Sequence, residues 1–332
     1  MREKAGVAHR AVSSGRPASP VGDPVGRCAA VARTRDDGWM PIIRGGSGSV
    51  RSGWKVAGFL ALCGASVMAA AVLIGMFAPP WASRDGQAWP VVALAAVFIL
   101  ASTRLCLRLE GRRAVSFRPQ VARLGIGLVV GVGLVGLLAW GLMLAGVLYW
   151  QPNRGFSASL MLSGTVYFCC AVLVEEMTFR GYALQRLAER IGARAAVAVL
   201  AVAFGGYHLL SLGANPSVKT GGADLLWIAA GPAIGAIVFG VAALRTGGIG
   251  LPLGLHLGWN WTQWHFFTFA ADDNPVGLWN PLVMPWYTEH PAAFRIGYVA
   301  AMALALLIVL LTTRRPGADP LFPASRPAAV IG

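Results

Sequence analysis

The chain has 332 residues, of which 56% are hydrophobic and only 13% are charged, and its net charge is +14. Because soluble domains carry about 25% charged residues, this composition excludes an ordinary soluble protein. The apolar residues are gathered into runs of roughly 20, each long enough to cross about 30 Å of hydrocarbon. The sequence therefore predicts an all-α, polytopic membrane protein.

Eight apolar runs predict a bundle of eight transmembrane helices. The sixth and seventh runs are separated only by the turn Arg245–Gly248, which predicts an antiparallel hairpin. The segment Phe179–Ile191, after the fourth run, alternates apolar and basic residues at helical spacing, which predicts an amphipathic continuation along the membrane surface. The predicted spans are Trp54–Met76, Trp89–Leu107, Leu124–Tyr149, Ser157–Val174, Arg194–Leu212, Leu225–Leu244, Ile249–Ala270 and Phe294–Thr312.

The basic residues are distributed asymmetrically about these spans. If both termini lie on the same side of the membrane, 24 of the 28 Lys and Arg residues fall on that side. Since positively charged segments resist translocation, this bias predicts a multi-pass protein of the cell membrane with both termini in the cytoplasm. The positive charge is then explained by topology and by attraction to anionic membrane lipids, and no nucleic-acid partner is expected.

The two ends of the chain differ in composition from the spans. Residues 1–50 are rich in Arg, Gly, Ser, Pro and Ala and contain no apolar signal segment, which predicts a disordered basic cytoplasmic tail. Met40 is a second candidate for the start of translation. Residues 51–312 form the predicted membrane domain, and residues 313–332 form a predicted flexible C-terminal tail.

Three short polar motifs interrupt the apolar runs. An ionisable side chain near the middle of a bilayer costs about 2.5–3.5 kcal/mol on insertion scales. Such residues usually face the inside of a helix bundle, pair there and mark a site for catalysis or transport. The motifs are Glu175-Glu176-x-x-x-Arg180, Phe204-x-x-x-His208 and His256-x-x-x-Asn260.

Helical geometry gives the members of these motifs different roles. Residues four apart share one face of a helix, so Glu176 and Arg180 are predicted to form an ion pair that supports the site. Glu175 lies on a neighbouring face without a local partner, which suits a general base or acid. His256 and Asn260 share a face as well, and both can donate a hydrogen bond to one developing oxyanion.

Two mechanisms remain open from these residue types. In the first, His208 and Glu175 activate a water molecule, and His256 and Asn260 polarise the carbonyl that the water attacks. In the second, Glu175, His208 and His256 are ligands of a zinc ion whose fourth ligand is the water. The sequence does not choose between a metal-free and a zinc-dependent hydrolase.

The three motifs, in this order and each within an apolar helix, resemble the type II CAAX prenyl protease and bacteriocin-processing (CPBP) family. The resemblance covers Ser157–Ala270 and fills every motif position. It implies an eight-helix intramembrane endopeptidase in which Glu175 and His208 activate water, while His256 and Asn260 polarise the scissile carbonyl. It also implies a membrane-associated peptide or protein as the substrate, without indicating whether that substrate is prenylated.

Two rival functions remain. A proton-coupled transporter would use the buried Glu and His residues as a relay, and a non-catalytic or immunity protein would keep the fold alone. The oligomeric state is not indicated by the sequence. His265, nine residues beyond His256, falls on the opposite face of the seventh helix and is expected at the membrane interface.

Overall fold

A computed structural model describes residues 51–77, 89–112, 118–212, 222–267, 276–283 and 292–313. The predicted N-terminal tail, the alternative start at Met40 and nearly all of the predicted C-terminal tail lie outside these residues. The described elements are α1 Ser52–Phe77, α2 Trp89–Leu109, α3 Arg118–Leu144, β1 Leu148–Pro152, α4 Ala158–Glu176, a π-helical turn Met177–Tyr182, α5 Ala183–Ile191, α6 Ala193–Leu212, α7 Gly222–Thr246, α8 Gly250–Phe267, β2 Trp279–Val283 and α9 Ala292–Thr312.

The prediction of an all-α membrane protein is confirmed. Within the described residues, seven helical segments are long and apolar enough to cross a membrane, with α4, the π-helical turn and α5 forming one continuous segment. The helix α8, which was predicted as the seventh of eight spans, is not among them. Its 18 residues include the polar residues of the third motif together with Gln263 and His265, and these lower its hydropathy.

The third span ends earlier than the sequence predicted. The helix α3 stops at Leu144 rather than continuing to Tyr149, because Gly146 adopts a positive φ of 69°. The Gly146 N–H donates to the Met143 carbonyl and the Val147 N–H donates to the Leu142 carbonyl, which is the Schellman pattern of a helix end.

After this stop the chain forms a short strand. The strand β1 pairs in antiparallel register with β2, so that Leu148 lies opposite Val283. The Trp150 indole donates to the Phe266 carbonyl at the end of α8. The backbone of Gly277 packs closely on His265, which is only 2% exposed. The segment before β2 thus covers His265, and its position at the level of the membrane interface stays a prediction.

Close packing between α3 and α8 fixes the position of the third motif. A side chain added at Gly131 would collide with the carbonyl oxygen of Leu255, and one added at Gly254 or Gly258 would collide with carbonyl oxygens of α3. Small residues spaced four apart allow two helix backbones to approach in this way. One face of α8 is thus held against α3, and the opposite side remains available for the site.

The fourth helix begins and continues as its sequence suggests, with one irregularity. The Ser157 hydroxyl caps the start of α4 by accepting from the Leu160 N–H. The predicted amphipathic continuation is present as α5, but a π-helical turn with a non-helical Gly181 separates it from α4. Such turns are frequent at functional sites, and this one directly follows the two glutamates.

The helix α5 is held by ion pairs to the first two helices. Glu110 at the end of α2 contacts both Lys55 of α1 and Arg186 of α5. The same carboxylate accepts a hydrogen bond of 3.0 Å from the Tyr182 hydroxyl, at the end of the π-helical turn. The turn that carries Arg180 is therefore anchored on the rest of the bundle.

Candidate active site

A buried ion pair lies at the base of the site. Glu176 is completely buried and Arg180 is 2% exposed, and the closest atoms of the two side chains are 3.1 Å apart. The guanidinium of Arg180 also lies over the Phe204 ring, 4.3 Å from its centroid. The structure therefore contains the i, i+4 pair that the motif predicts, and an aromatic face adds to the stabilisation of the buried cation.

His256 connects the two glutamates of the first motif. Its Nδ1 lies 2.9 Å from Glu176 Oε1, and its Nε2 lies 3.5 Å from Glu175 Oε2. Because a carboxylate only accepts hydrogen bonds, the contact with Glu176 puts a proton on Nδ1. This buried carboxylate fixes the orientation and tautomer of the imidazole, which the sequence did not indicate.

Asn260 completes this hydrogen-bonded chain. Its Nδ2 lies 3.1 Å from His256 Nε2, as expected from residues one helical turn apart. In the neutral imidazole with a proton on Nδ1, Nε2 accepts this hydrogen bond from the amide. An amide nitrogen carries two hydrogens, so Asn260 retains a second one for a substrate oxygen.

Glu175 is the more accessible of the two glutamates. Its side chain is 15% exposed, whereas that of Glu176 is 0% exposed. The Oε2 atom of Glu175 has no hydrogen-bond partner among the described residues, and it lies 3.5 Å from Nε2 of His256. Glu175 therefore contacts His256, and the water molecule that it is predicted to share with His208 stays a prediction.

His208 approaches the site from α6. Its Nδ1 lies 2.9 Å from the Phe204 carbonyl oxygen, which can only accept, so Nδ1 carries a proton and a neutral ring has its lone pair on Nε2. The Phe204 ring contacts the imidazole of His208 at 4.6 Å and that of His256 at 6.0 Å between centroids. The second and third motifs therefore lie at the same level of the bundle.

A cavity of about 290 Å³ opens beside these residues. His208, His256 and Asn260 line it, whereas the two glutamates, which contact His256, are not among the lining residues. The opposite wall is largely aromatic and apolar, and is made by Trp227, Phe239, Trp259, Phe294, Tyr298 and Met302. The cavity thus has a polar edge along α8 and an apolar wall from α7, α8 and α9.

Sequence reasoning missed several residues of this wall. Phe239 of α7 stacks on His256, with ring centroids 4.6 Å apart and planes at 19°. The Tyr298 hydroxyl of α9 donates to the Gly231 carbonyl, which joins α9 to α7 at the cavity. A single aromatic residue in an apolar helix gives no signal of its own, so neither position could be distinguished from lipid-facing residues.

The zinc interpretation is not supported by the arrangement of the side chains. Across the described ranges, no three His, Cys, Asp or Glu side chains come close enough to hold one metal ion. Of the predicted ligands, Glu175 and His256 are neighbours, but His208 does not join them in a cluster of three. No chemical step is therefore assigned to a metal.

The comparisons with known proteins agree with the position of the motifs. Residues 157–262 match the family described as Rce1-like, type II CAAX prenyl endopeptidase Rce1-like. The matched segment is about a third of the chain and includes all three motifs. Neither the curated proteins nor the solved structures give a match. Its apolar helices and this match together indicate a multi-pass membrane protein, in which residues 157–262 are similar to the Rce1-like family of type II CAAX prenyl endopeptidases.

Proposed function

We propose that the protein is an intramembrane endopeptidase that cleaves membrane-associated peptides or proteins with a water molecule activated by Glu175 and His208. The observation that carries this proposal is the convergence of Glu175, His256 and Asn260 in one chain of contacts beside a cavity that His208 also lines. Polar groups placed together in a largely apolar pocket are typical of an active site.

In the proposed attack on the peptide bond, these groups have different roles. Glu175, helped by Nε2 of His208, accepts a proton from the water while the water oxygen bonds to the carbonyl carbon. The carbonyl oxygen becomes an oxyanion, which the second hydrogen of Asn260 Nδ2 stabilises. The intermediate requires no covalent bond to the protein.

His256 connects proton transfer to oxyanion stabilisation. Its Nε2 is 3.5 Å from Glu175 Oε2, so it can receive the proton taken from the water. The imidazolium then donates to the oxyanion just as its charge develops, and Glu176 balances its positive charge. When the C–N bond breaks, the proton passes to the leaving amine and the site returns to its starting state.

The surroundings of the site suit a substrate held at the membrane. We propose that the protein lies in the cell membrane with both termini in the cytoplasm, and that the peptide enters the cavity from the lipid or from the cytoplasmic side. Membrane lipids are then the constant partners of the apolar helices. The apolar wall of the cavity would accommodate uncharged side chains of the substrate.

The test is a comparison of membranes that contain the wild type, Glu175→Ala or His208→Ala at equal levels. Mass spectrometry of protein C termini should find new ends with the wild type and none with either variant. Glu189→Gln is the matched control, because Glu189 of α5 is 34% exposed, pairs with Arg112 and Arg186, and is not among the residues that line the cavity. It should give the wild-type pattern.

The same experiment separates the proposal from its rivals. A proton-coupled transporter predicts no new C termini with any variant and a pH-dependent flux in liposomes that Glu175→Ala removes. A non-catalytic protein of the same fold predicts neither result. Wild-type cleavage by Glu175→Ala would refute the mechanism.

A further inference from the structure

Gln263 of α8 has an amide whose orientation is set by a neighbouring tryptophan. The Trp259 indole N–H donates to Gln263 Oε1 at a distance of 2.6 Å. An indole nitrogen can only donate, so the oxygen of the amide must face it. The Nε2 group of Gln263, which carries two hydrogens, is therefore directed elsewhere and has no hydrogen-bond partner among the residues that the structure describes.

This amide nitrogen belongs to the polar edge of the cavity. Gln263 and Asn260 both line the cavity, and they are three residues apart on α8. Three residues correspond to about 4.5 Å along a helix axis, and the glutamine side chain extends about one bond further. The donor group of Gln263 is thus displaced from the amide of Asn260 by about one helical turn along the cavity.

This spacing matches that of an extended peptide. An extended chain advances about 3.3–3.6 Å per residue and its carbonyl groups point alternately to opposite sides, so carbonyls on the same side are about 7 Å apart. An extended peptide whose scissile carbonyl meets Asn260 would bring the carbonyl two residues away to Gln263. Most of the remaining wall is apolar or aromatic and offers few donors for that oxygen.

We infer that Gln263 is a substrate-positioning residue that donates a hydrogen bond to the backbone carbonyl two residues from the scissile carbonyl of the bound peptide. The inference rests on the proposed endopeptidase function and specifies how that site holds its substrate. The hydrogen bond from the Trp259 indole would hold the amide of Gln263 with its NH2 group towards the peptide. It also predicts that the site binds its substrate in an extended conformation along α8.

The test uses the full-length protein in nanodiscs and a library of short synthetic peptides of defined sequence. Gln263→Glu is the informative variant, since a carboxylate still accepts from the Trp259 indole but cannot donate to a carbonyl. KM should rise on the order of 10-fold to 100-fold with little change in kcat, because a substrate carbonyl is left without a donor. The ranking of the peptides should shift towards those with Lys or Arg beside the cleavage site.

Two further variants keep the result interpretable. Gln263→Met has a similar shape without charge, so it should also raise KM, and it replaces Gln263→Glu if that protein does not fold. Thr262→Val is the matched control, because Thr262 is buried on the same helix and does not line the cavity. Its KM and peptide ranking should equal those of the wild type.

The possible outcomes distinguish this inference from the proposed function. If the wild type cleaves the peptides and both Gln263 variants retain its KM and peptide ranking, the inference is wrong and the endopeptidase proposal stands. If the wild type cleaves none of the peptides and yields no new C termini in membranes, the proposed function fails and the inference fails with it.

Discussion

Of the two adjacent glutamates, Glu176 should matter mainly for the stability of the protein and Glu175 mainly for cleavage. Glu176 is completely buried against Arg180 and His256, so Glu176→Ala leaves a guanidinium that is 2% exposed without its carboxylate. Removing one partner of a buried ion pair typically costs about 3–5 kcal/mol. We expect Glu176→Ala to lose about that much stability.

Glu175→Ala should have a much smaller effect on folding. The Glu175 side chain is 15% exposed, and its contact with His256 is longer, at 3.5 Å. Its loss leaves Arg180 paired with Glu176, so the cost should be well below the about 3–5 kcal/mol expected for Glu176→Ala. Cleavage should nevertheless be abolished, because the group that receives the proton of the water is gone.

The measurement is equilibrium unfolding in mixed micelles, followed by tryptophan fluorescence, for the wild type and both variants. Glu176→Ala/Arg180→Ala should be more stable than the two single losses added together predict, since the double variant buries no unpaired charge. If Glu175→Ala and Glu176→Ala lose equal stability, the division of the pair into a chemical and a supporting glutamate is incorrect.

Three further predictions follow from the packing and from the site. Gly131→Ala should destabilise the protein by about 1–3 kcal/mol in the same unfolding assay, because its added carbon meets the backbone of α8. Gly133→Ala, on the open side of α3, should be neutral or stabilising by about 0.5–1 kcal/mol, and equal losses at the two glycines would contradict the α3–α8 contact. Asn260→Ala should lower kcat about 10²-fold to 10³-fold in steady-state assays if its amide stabilises the oxyanion, whereas an unchanged kcat would remove that role. Because the described side chains do not form a metal-ligand cluster, activity should survive dialysis against EDTA, and loss of activity restored by added zinc would contradict this reading.

Spacing along the chain was enough to predict much of the site. The i, i+4 rule predicted the ion pair of Glu176 with Arg180 and the shared face of His256 and Asn260, because helical geometry alone brings such residues together. The apolar runs gave the positions of the helices, and the resemblance carried by the three motifs agrees with the family match over residues 157–262.

The contacts between helices could not be predicted from the spacing of residues along the chain. Most of these helices are apolar on every side, so periodicity does not indicate how far each is rotated about its own axis. Packing settled that Glu175 meets His256, that Phe239 stacks on the same imidazole, and that the segment before β2 buries His265. The rotation of α8, set by glycines that let two backbones touch, is the physical reason why these residues meet.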